Sequence, residues 1–415
     1  MEDEKKIKVL LMNAFNTYNY GSMMMAENII TYFNKKMNNQ LQFYIEYTSE
    51  DNINRLRQAT QCEVYIDKWI SSKMIFKGPM RKIENFIKNR VKLLLNKKKY
   101  DVIIILGGDD YAETYCRTKF QLNGLIRTMK KVNTLNQNTK LYMIGQTIGP
   151  YTGKREEYAK KIFKNIKIYA RDEVSAEYME KQLGVKVHHS RDLALLNLNL
   201  QDEYESQYEK ELQKYQLQDG KYITIVGTSL SEFYTDNTEL FDQKFIEIIQ
   251  AVKEKYPDKK IVWLSHVVNK GDNILLERLD KKFNRYISNN LTVIKEEILP
   301  VQARIILGHG YFTVTCRMHA AVSTLQMGKP AICLSYSVKY KGVIGNALDL
   351  DELVIECKGE EAWKKDIVNA VLEKTDYIDK NYIVLQEKIK NKIQENQKIV
   401  ENTINEIVND IKRKE

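Results

Sequence analysis

Tyr311–Gly342, YFTVTCRMHAAVSTLQMGKPAICLSYSVKYKG, reads as strand, loop, helix, turn, strand and loop. Arg317 and His319 fall where the strand VTC gives way to the helix MHAAVSTLQM. Their side chains therefore surround a helix N-terminus, whose free amides and dipole favour an anion. Gly328, Lys329 and Pro330 end that helix and open the next strand, after which Tyr336, Lys339 and Lys341 reach the adjoining loop. Cationic groups from two neighbouring loops are thus expected to clamp a small anion such as a phosphate or carboxylate.

The same alternation extends outward in both directions. Upstream, KYITIVGTSL, DQKFIEIIQAVKEKYPD, KKIVWLSHV and NILLERLDKKF are strand and helix in turn. Earlier still, IKVLLMN, LQFYIEYT, YDVIIILGG, KLYMIGQTIG and KIYARD are strand-like runs separated by amphipathic stretches. That pattern is the signature of parallel sheets flanked by helices. The polar stretch from Leu198 to Gly220 has no strand signal and suits a helical linker. The expected organisation is an α/β, GT-B-like protein in which two Rossmann-like lobes face a cleft. Residues 1–200 form the first lobe, 201–220 the linker, 221–360 the second lobe and 361–415 C-terminal helices that pack back on the first. Ligands of open α/β sheets bind beyond the carboxyl ends of the strands, so function is expected at strand-to-helix loops.

A length of 415 residues supports two domains, and 43% hydrophobic with 29% charged residues is an ordinary globular composition. The start, MEDEKKIKVLLMNAF, lacks an apolar signal region, and no run approaches the roughly 20 apolar residues of a membrane span. Cys62, Cys116, Cys316, Cys333 and Cys357 have neither zinc nor disulfide spacing. A cytoplasmic protein with reduced thiols and no metal is expected. The net charge of +10 is concentrated between Lys77 and Lys99, where nine Lys or Arg stand against Glu84 alone. Met80, Ile83, Ile87, Val91 and Leu94 recur there at helical spacing, giving a helix apolar on one side and cationic on the other. Such a helix either lies on its own domain or meets the inner face of an anionic membrane peripherally. Nucleic acid is not expected as a partner, because no binding motif accompanies the charge.

The run CRMHAAVSTLQMGKPAICLSYSVKYKG resembles the C-terminal signature of the polysaccharide pyruvyl transferase family: Arg-x-His, a helix, Gly-x-Pro, then Tyr-x-x-Lys-x-x-Gly. LGGDDY (Leu106–Tyr111), GQTIGP (Gly145–Pro150), ARDEVSAEYMEKQLG (Ala170–Gly184), SRDLAL (Ser190–Leu195) and LSHVVNKGDN (Leu264–Asn273) are similar to other family segments, in the right order. The resemblance covers about residues 10 to 350. It implies transfer of a pyruvyl ketal from phosphoenolpyruvate, a co-substrate with no other cofactor, to a sugar of a surface polysaccharide or of its lipid-linked precursor. It also puts the acceptor on the first lobe and the donor on the second. Arg171, Arg317 and His319 become the catalytic donor-site residues, with Lys339 and Gln146 beside them. Asp172 is expected to hold Arg171 or cap the following helix.

Phosphoenolpyruvate carries a carboxylate and a phosphate, and planar guanidinium groups suit bidentate contact with either. His319 is the expected general acid or base, since imidazole titrates near neutral pH. The chain departs from the family pattern at Gly21-Ser22, where relatives carry Gly-Asp, and at Asp109-Asp110, where another Gly is usual. The segment VGTSLSEFY also has Ser231 near where relatives carry Arg. Two acids would repel a donor phosphate, so Asp109, Asp110 and Glu113 are expected on the acceptor side, together with His266 and Asp272. Two other functions suit the same architecture: a glycosyltransferase using a nucleotide-sugar donor, and a non-catalytic protein that binds anionic glycans.

Overall fold

A computed structural model describes residues 6–46, 48–67, 99–113, 116, 118–137, 139–269 and 271–413. The basic segment Lys77–Lys98 lies outside the described residues, and the last cation of that run, Lys99, pairs with Asp67 at 2.6 Å. No helix among the described residues is long and apolar enough to cross a membrane.

Among the described residues, seven parallel strands form the first sheet: β1 Ile7–Met12, β2 Leu41–Ile45, β3 Val64–Ile66, β4 Val102–Leu106, β5 Lys140–Gln146, β6 Lys167–Ala170 and β7 His188–His189. Their spatial order is β3-β2-β1-β4-β5-β6-β7. Six more form the second: β8 Tyr222–Val226, β9 Lys260–Leu264, β10 Thr292–Ile294, β11 Thr313–Thr315, β12 Ala331–Ser335 and β13 Val354–Glu356, ordered β10-β9-β8-β11-β12-β13. The central strands VIIIL of β4 and YITIV of β8 are buried along their whole length. Uninterrupted apolar runs of this kind are what a parallel sheet needs when helices cover both faces.

In each sheet the order reverses between the first strand and the fourth, at β1/β4 and at β8/β11. Loops leaving two neighbouring strands in opposite directions open a crevice at such a switch point. Met12 pairs with Ile105 at the end of the first pair, and Thr315 with Val226 at the end of the second. The two crevices face each other, and the cleft lies between them.

The lobes are joined by buried polar contacts as well as by the chain. Tyr20 N donates to His266 O at 3.2 Å and Val268 N to Tyr18 O at 3.0 Å, a short antiparallel bridge across the cleft. Arg304, fully buried on the helix Pro300–Gly308, donates to the carbonyls of Ala194 and Leu196 at 2.6 and 2.9 Å and to Gln201 at 2.9 Å. Asn28 donates to Leu193 O at 2.8 Å, and Glu27 accepts from Asn199 N at 2.9 Å. Residues 193–199 are therefore pinned from both lobes, which fixes Asp192 just before them. Burial pushes the Glu27 carboxyl up to about 8.

The polar stretch after Leu198 holds two short helices, Gln201–Glu205 and Tyr208–Gln213, packed against Pro300–Gly308. The chain then makes a 46-residue helix, Ile367–Lys412. Its buried Val371, Ile378, Leu385, Ile389, Ile393, Val400, Ile404 and Ile411 recur at helical spacing and form one apolar stripe. At about 1.5 Å per residue the helix is long enough to span both lobes. Its start meets the second lobe, where Tyr256 donates to Asp379 at 2.8 Å. Its end meets the first, where Lys167 pairs with Asp410 at 2.6 Å and Tyr169 donates to Glu406 at 3.1 Å.

Candidate active site

A cavity of about 290 Å³ occupies the cleft. The first lobe lines it with Asn13 beyond β1, Gly107–Asp110 beyond β4 and Arg171 beyond β6. The second lobe contributes Arg317 and His319 beyond β11, Lys339 beyond β12 and His266 beyond β9. Arg171 and Arg317, about 150 positions apart in sequence, thus share one cavity because each follows a strand end at the facing edges of two sheets.

Each cation is held by a carboxylate. Arg171 is 1% exposed; its Nη1 donates to Asp192 at 3.0 Å and its Nε to Thr147 Oγ1 at 2.8 Å. Burial opposes its charge, but Asp192, Asp109 and Asp172 more than compensate and keep the guanidinium protonated. Asp172 caps the helix Glu173–Glu177 by accepting from Ser175 N at 2.8 Å, so the partner of Arg171 is Asp192 instead. Asp192 also lies 3.4 Å from His319 Nε2, too obliquely for a hydrogen bond. Burial alone would raise the Asp192 carboxyl; the charges of His319 and Arg171 and the amide of Ala194 drive it well below the usual carboxylate range.

Arg317 directs Nε and Nη2 at Oδ1 of Asp272, which is fully buried behind it. The other oxygen of Asp272 accepts from the amides of His266 and Val267 at 3.1 and 2.8 Å. Lys339 bonds Asp109 at 2.8 Å and Tyr336 at 3.0 Å, tying the two lobes across the cavity. His266, 2% exposed, is neutral: burial and the charges of His319, Arg317 and Arg304 push its pKa well below the ordinary value.

Three expectations need correction. Gln146 does not reach the cavity: it is fully buried and donates to Ile105 O at 3.1 Å, because it is the last residue of a central strand and faces the sheet interior. Glu113 is turned away to a pair with Arg155 and accepts from Thr152 N at 2.9 Å. Asp272 does not face an acceptor, since both its oxygens are consumed in positioning Arg317 and the loop before its own helix. Asp109, Asp110 and His266 do line the cavity, although Asp109 binds the cation expected at the donor. Two residues of the site are not among the sequence candidates: Asp192, inside the SRDLAL segment, and the cavity-lining Asn13, whose sequence signal is an Asn directly after the apolar run IKVLLM and whose φ in the fold is 62°.

Gly21 in the first loop is fixed by its packing against the second lobe. A Cβ there would stand 2.3 Å from His319 Nδ1 and 2.5 Å from its Cγ, so only glycine lets the first-lobe helix Tyr20–Lys36 approach this ring. Gly21→Ala is expected to displace His319 and lower kcat by about 100-fold, the usual cost of an ångström-scale misplacement. Turnover at the unaltered rate in the alanine variant would show that the position of the ring does not matter.

Two facing Rossmann-type lobes with a polar cleft at their switch points define the GT-B class of architecture. Within that class, the chain belongs to the polysaccharide pyruvyl transferase family, which matches residues 19–338. It is 24% identical over 260 residues to the amylovoran biosynthesis protein AmsJ of Erwinia amylovora, a match covering 60% of this chain and 59% of that protein. Among solved structures it resembles the UDP-GlcNAc 2-epimerase of Neisseria meningitidis bound to UDP-GlcNAc, with a TM-score of 0.61 and 12% identity over 96% of this chain and 99% of that one. It also resembles the Glycyrrhiza uralensis protein UGT73P12, with a TM-score of 0.56 and 9% identity over 98% of this chain and 96% of that one. At such identities these structures share the fold alone.

Proposed function

We propose that the protein transfers a pyruvyl group from phosphoenolpyruvate to two hydroxyls of one sugar in an exopolysaccharide or its lipid-linked precursor. The observation that carries this reading is the convergence of Arg171, Arg317 and Lys339 from both lobes on one small cavity. A volume near the bottom of the roughly 300–1,000 Å³ range of small-molecule sites suits a compact donor. The donor's carboxylate and phosphate are both anionic, and fixed guanidinium groups stabilise charge best when they need not reorganise.

His319 stands at the N-terminus of Met318–Gln326, where the amides favour the donor's anionic end. It supplies a proton to the methylene carbon; C2 then gains oxocarbenium character and accepts a sugar hydroxyl. The charge of Asp192, 3.4 Å from the ring, supports the imidazolium. Phosphate leaves, and the second hydroxyl closes the ketal.

The test is incubation with phosphoenolpyruvate and a panel of nitrophenyl and lipid-linked sugars, with phosphate release and product mass as readouts. One phosphate released per ketal formed is the expected result. Turnover of a nucleotide sugar with none of phosphoenolpyruvate would transfer the protein to the glycosyltransferases.

A further inference from the structure

Ketal formation removes a proton from each of two hydroxyls, and one of the two ends on the donor's methylene carbon. The other must leave with the phosphate. His319 accounts for the first, so a second group is needed that can meet both a sugar hydroxyl and the departing phosphate. Besides His319, three carboxylate or imidazole side chains among the described residues line the cavity. Asp109 is bonded to Lys339. His266 is 2% exposed, which leaves it out of reach of a sugar hydroxyl. Asp110 remains.

Asp110 sits on the turn after β4 and lines the cavity opposite the helix N-terminus of the second lobe. Its side chain is exposed to the cavity, yet the cleft walls enclose it; the exposure governs access and the enclosure governs proton affinity. Asn13 Nδ2, from the end of β1, donates to Oδ2 at 3.4 Å. The charged groups facing it are Asp109 on its own turn, Arg171 from β6 and Lys339 from the second lobe. It is thus within electrostatic range of two of the cations expected to hold the phosphate.

We propose that Asp110 is the second proton carrier: it takes the proton of the first attacking hydroxyl and passes it to the phosphate as that group leaves. The proposal rests on the pyruvyl-transfer reading above and extends it. The ledger closes over one cycle. His319, protonated, gives its proton to C3 while the first hydroxyl oxygen bonds to C2 and its proton moves to the Asp110 carboxylate. The C2–O bond to phosphorus-bearing oxygen then breaks, the electron pair leaves on phosphate, and Asp110 protonates it. The second hydroxyl bonds to C2 and its proton restores His319. Both groups end as they began.

Burial in the cleft, and after it the charge of Asp109, push the Asp110 carboxyl up to about 6, with Arg171 and Lys339 opposing. A carrier that starts ionised works above its pKa, so kcat/KM should fall as pH drops through about 6. The experiment uses the full chain and its Asp110→Asn, Asp110→Glu and Asp109→Asn variants. Donor affinity is read by calorimetry with phosphoenolpyruvate alone, and turnover by phosphate release across pH. Asp110→Asn should bind the donor within about threefold of the parent, a difference of under 1 kcal/mol. Its kcat should fall by about 100- to 10,000-fold, and the acidic limb should vanish from the residual activity. Asp110→Glu should recover that limb at reduced rate. Asp109→Asn should move the limb to lower pH, because it removes the like charge beside Asp110. An acidic limb that survives unchanged in Asp110→Asn overturns the proposal while leaving the donor assignment intact; a parent protein that neither binds nor consumes phosphoenolpyruvate brings down both.

Discussion

Arg317→Lys is expected to lower kcat/KM for phosphoenolpyruvate by about 100- to 1,000-fold, on the order of 3–4 kcal/mol at the transition state. Lysine keeps a positive charge beside the buried Asp272, so the fold should survive. It cannot keep the geometry. Arg317 spends Nε and Nη2 on Asp272 and still presents the remainder of a planar fork to the cavity, with the side chain 16% exposed. An ammonium is a single point of charge and must choose between Asp272 and the donor. Phosphate-release kinetics with parallel thermal unfolding separate the two effects. A lysine variant as active as the parent would remove Arg317 from the donor contact and leave it as the partner of Asp272 only.

Asp192→Asn should be damaging in a different way, because Asp192 faces both Arg171 and His319. It is fully buried, pairs with Arg171 at 3.0 Å and stands 3.4 Å from His319. An amide of the same shape leaves Arg171 charged, 1% exposed and without its main counter-charge. Breaking a buried pair from one side costs about 3–5 kcal/mol, so unfolding by urea at neutral pH should begin at lower concentration. Because the folded-state pKa of Asp192 is depressed, the stability it contributes is present above the ordinary carboxylate pKa and is lost as pH falls below about 4. The stability gap between parent and variant should therefore be widest at neutral pH and narrow in acid. Activity should also fall by about 100-fold or more, since Arg171 would lose the carboxylate that holds it and His319 the charge beside its ring. A gap that stays constant from neutral to acidic pH would mean that the carboxylate is not what stabilises this centre.

The alternation of apolar runs and amphipathic stretches was sufficient to read two parallel-sheet lobes, because a strand covered on both faces must be apolar throughout, as VIIIL and YITIV are. Local sequence also placed Arg317 and His319 at a helix start, since the strand-to-helix change around Thr315–Met318 is a property of a few neighbouring residues. Asp172 as a helix cap was equally local, one of the two readings its position allowed. These features depend on contacts within one or two turns of chain, and such contacts leave a pattern in the order of residues.

Pairing across long separations left no such pattern. Gln146 and Glu113 sit beside site residues in sequence, yet one faces the sheet interior and the other turns to Arg155. Asp272 could be read as a ligand-facing acid until the fold set Arg317, 45 positions away, against it. Asp109 drew the expectation of an acceptor contact, but Lys339 reaches it from the other lobe across 230 positions. Charge and residue type thus determined that this chain would gather cationic groups at strand ends. The packing of one lobe on the other decided which carboxylate each cation would meet, because that choice depends on distances of a few ångströms between segments that share no local geometry.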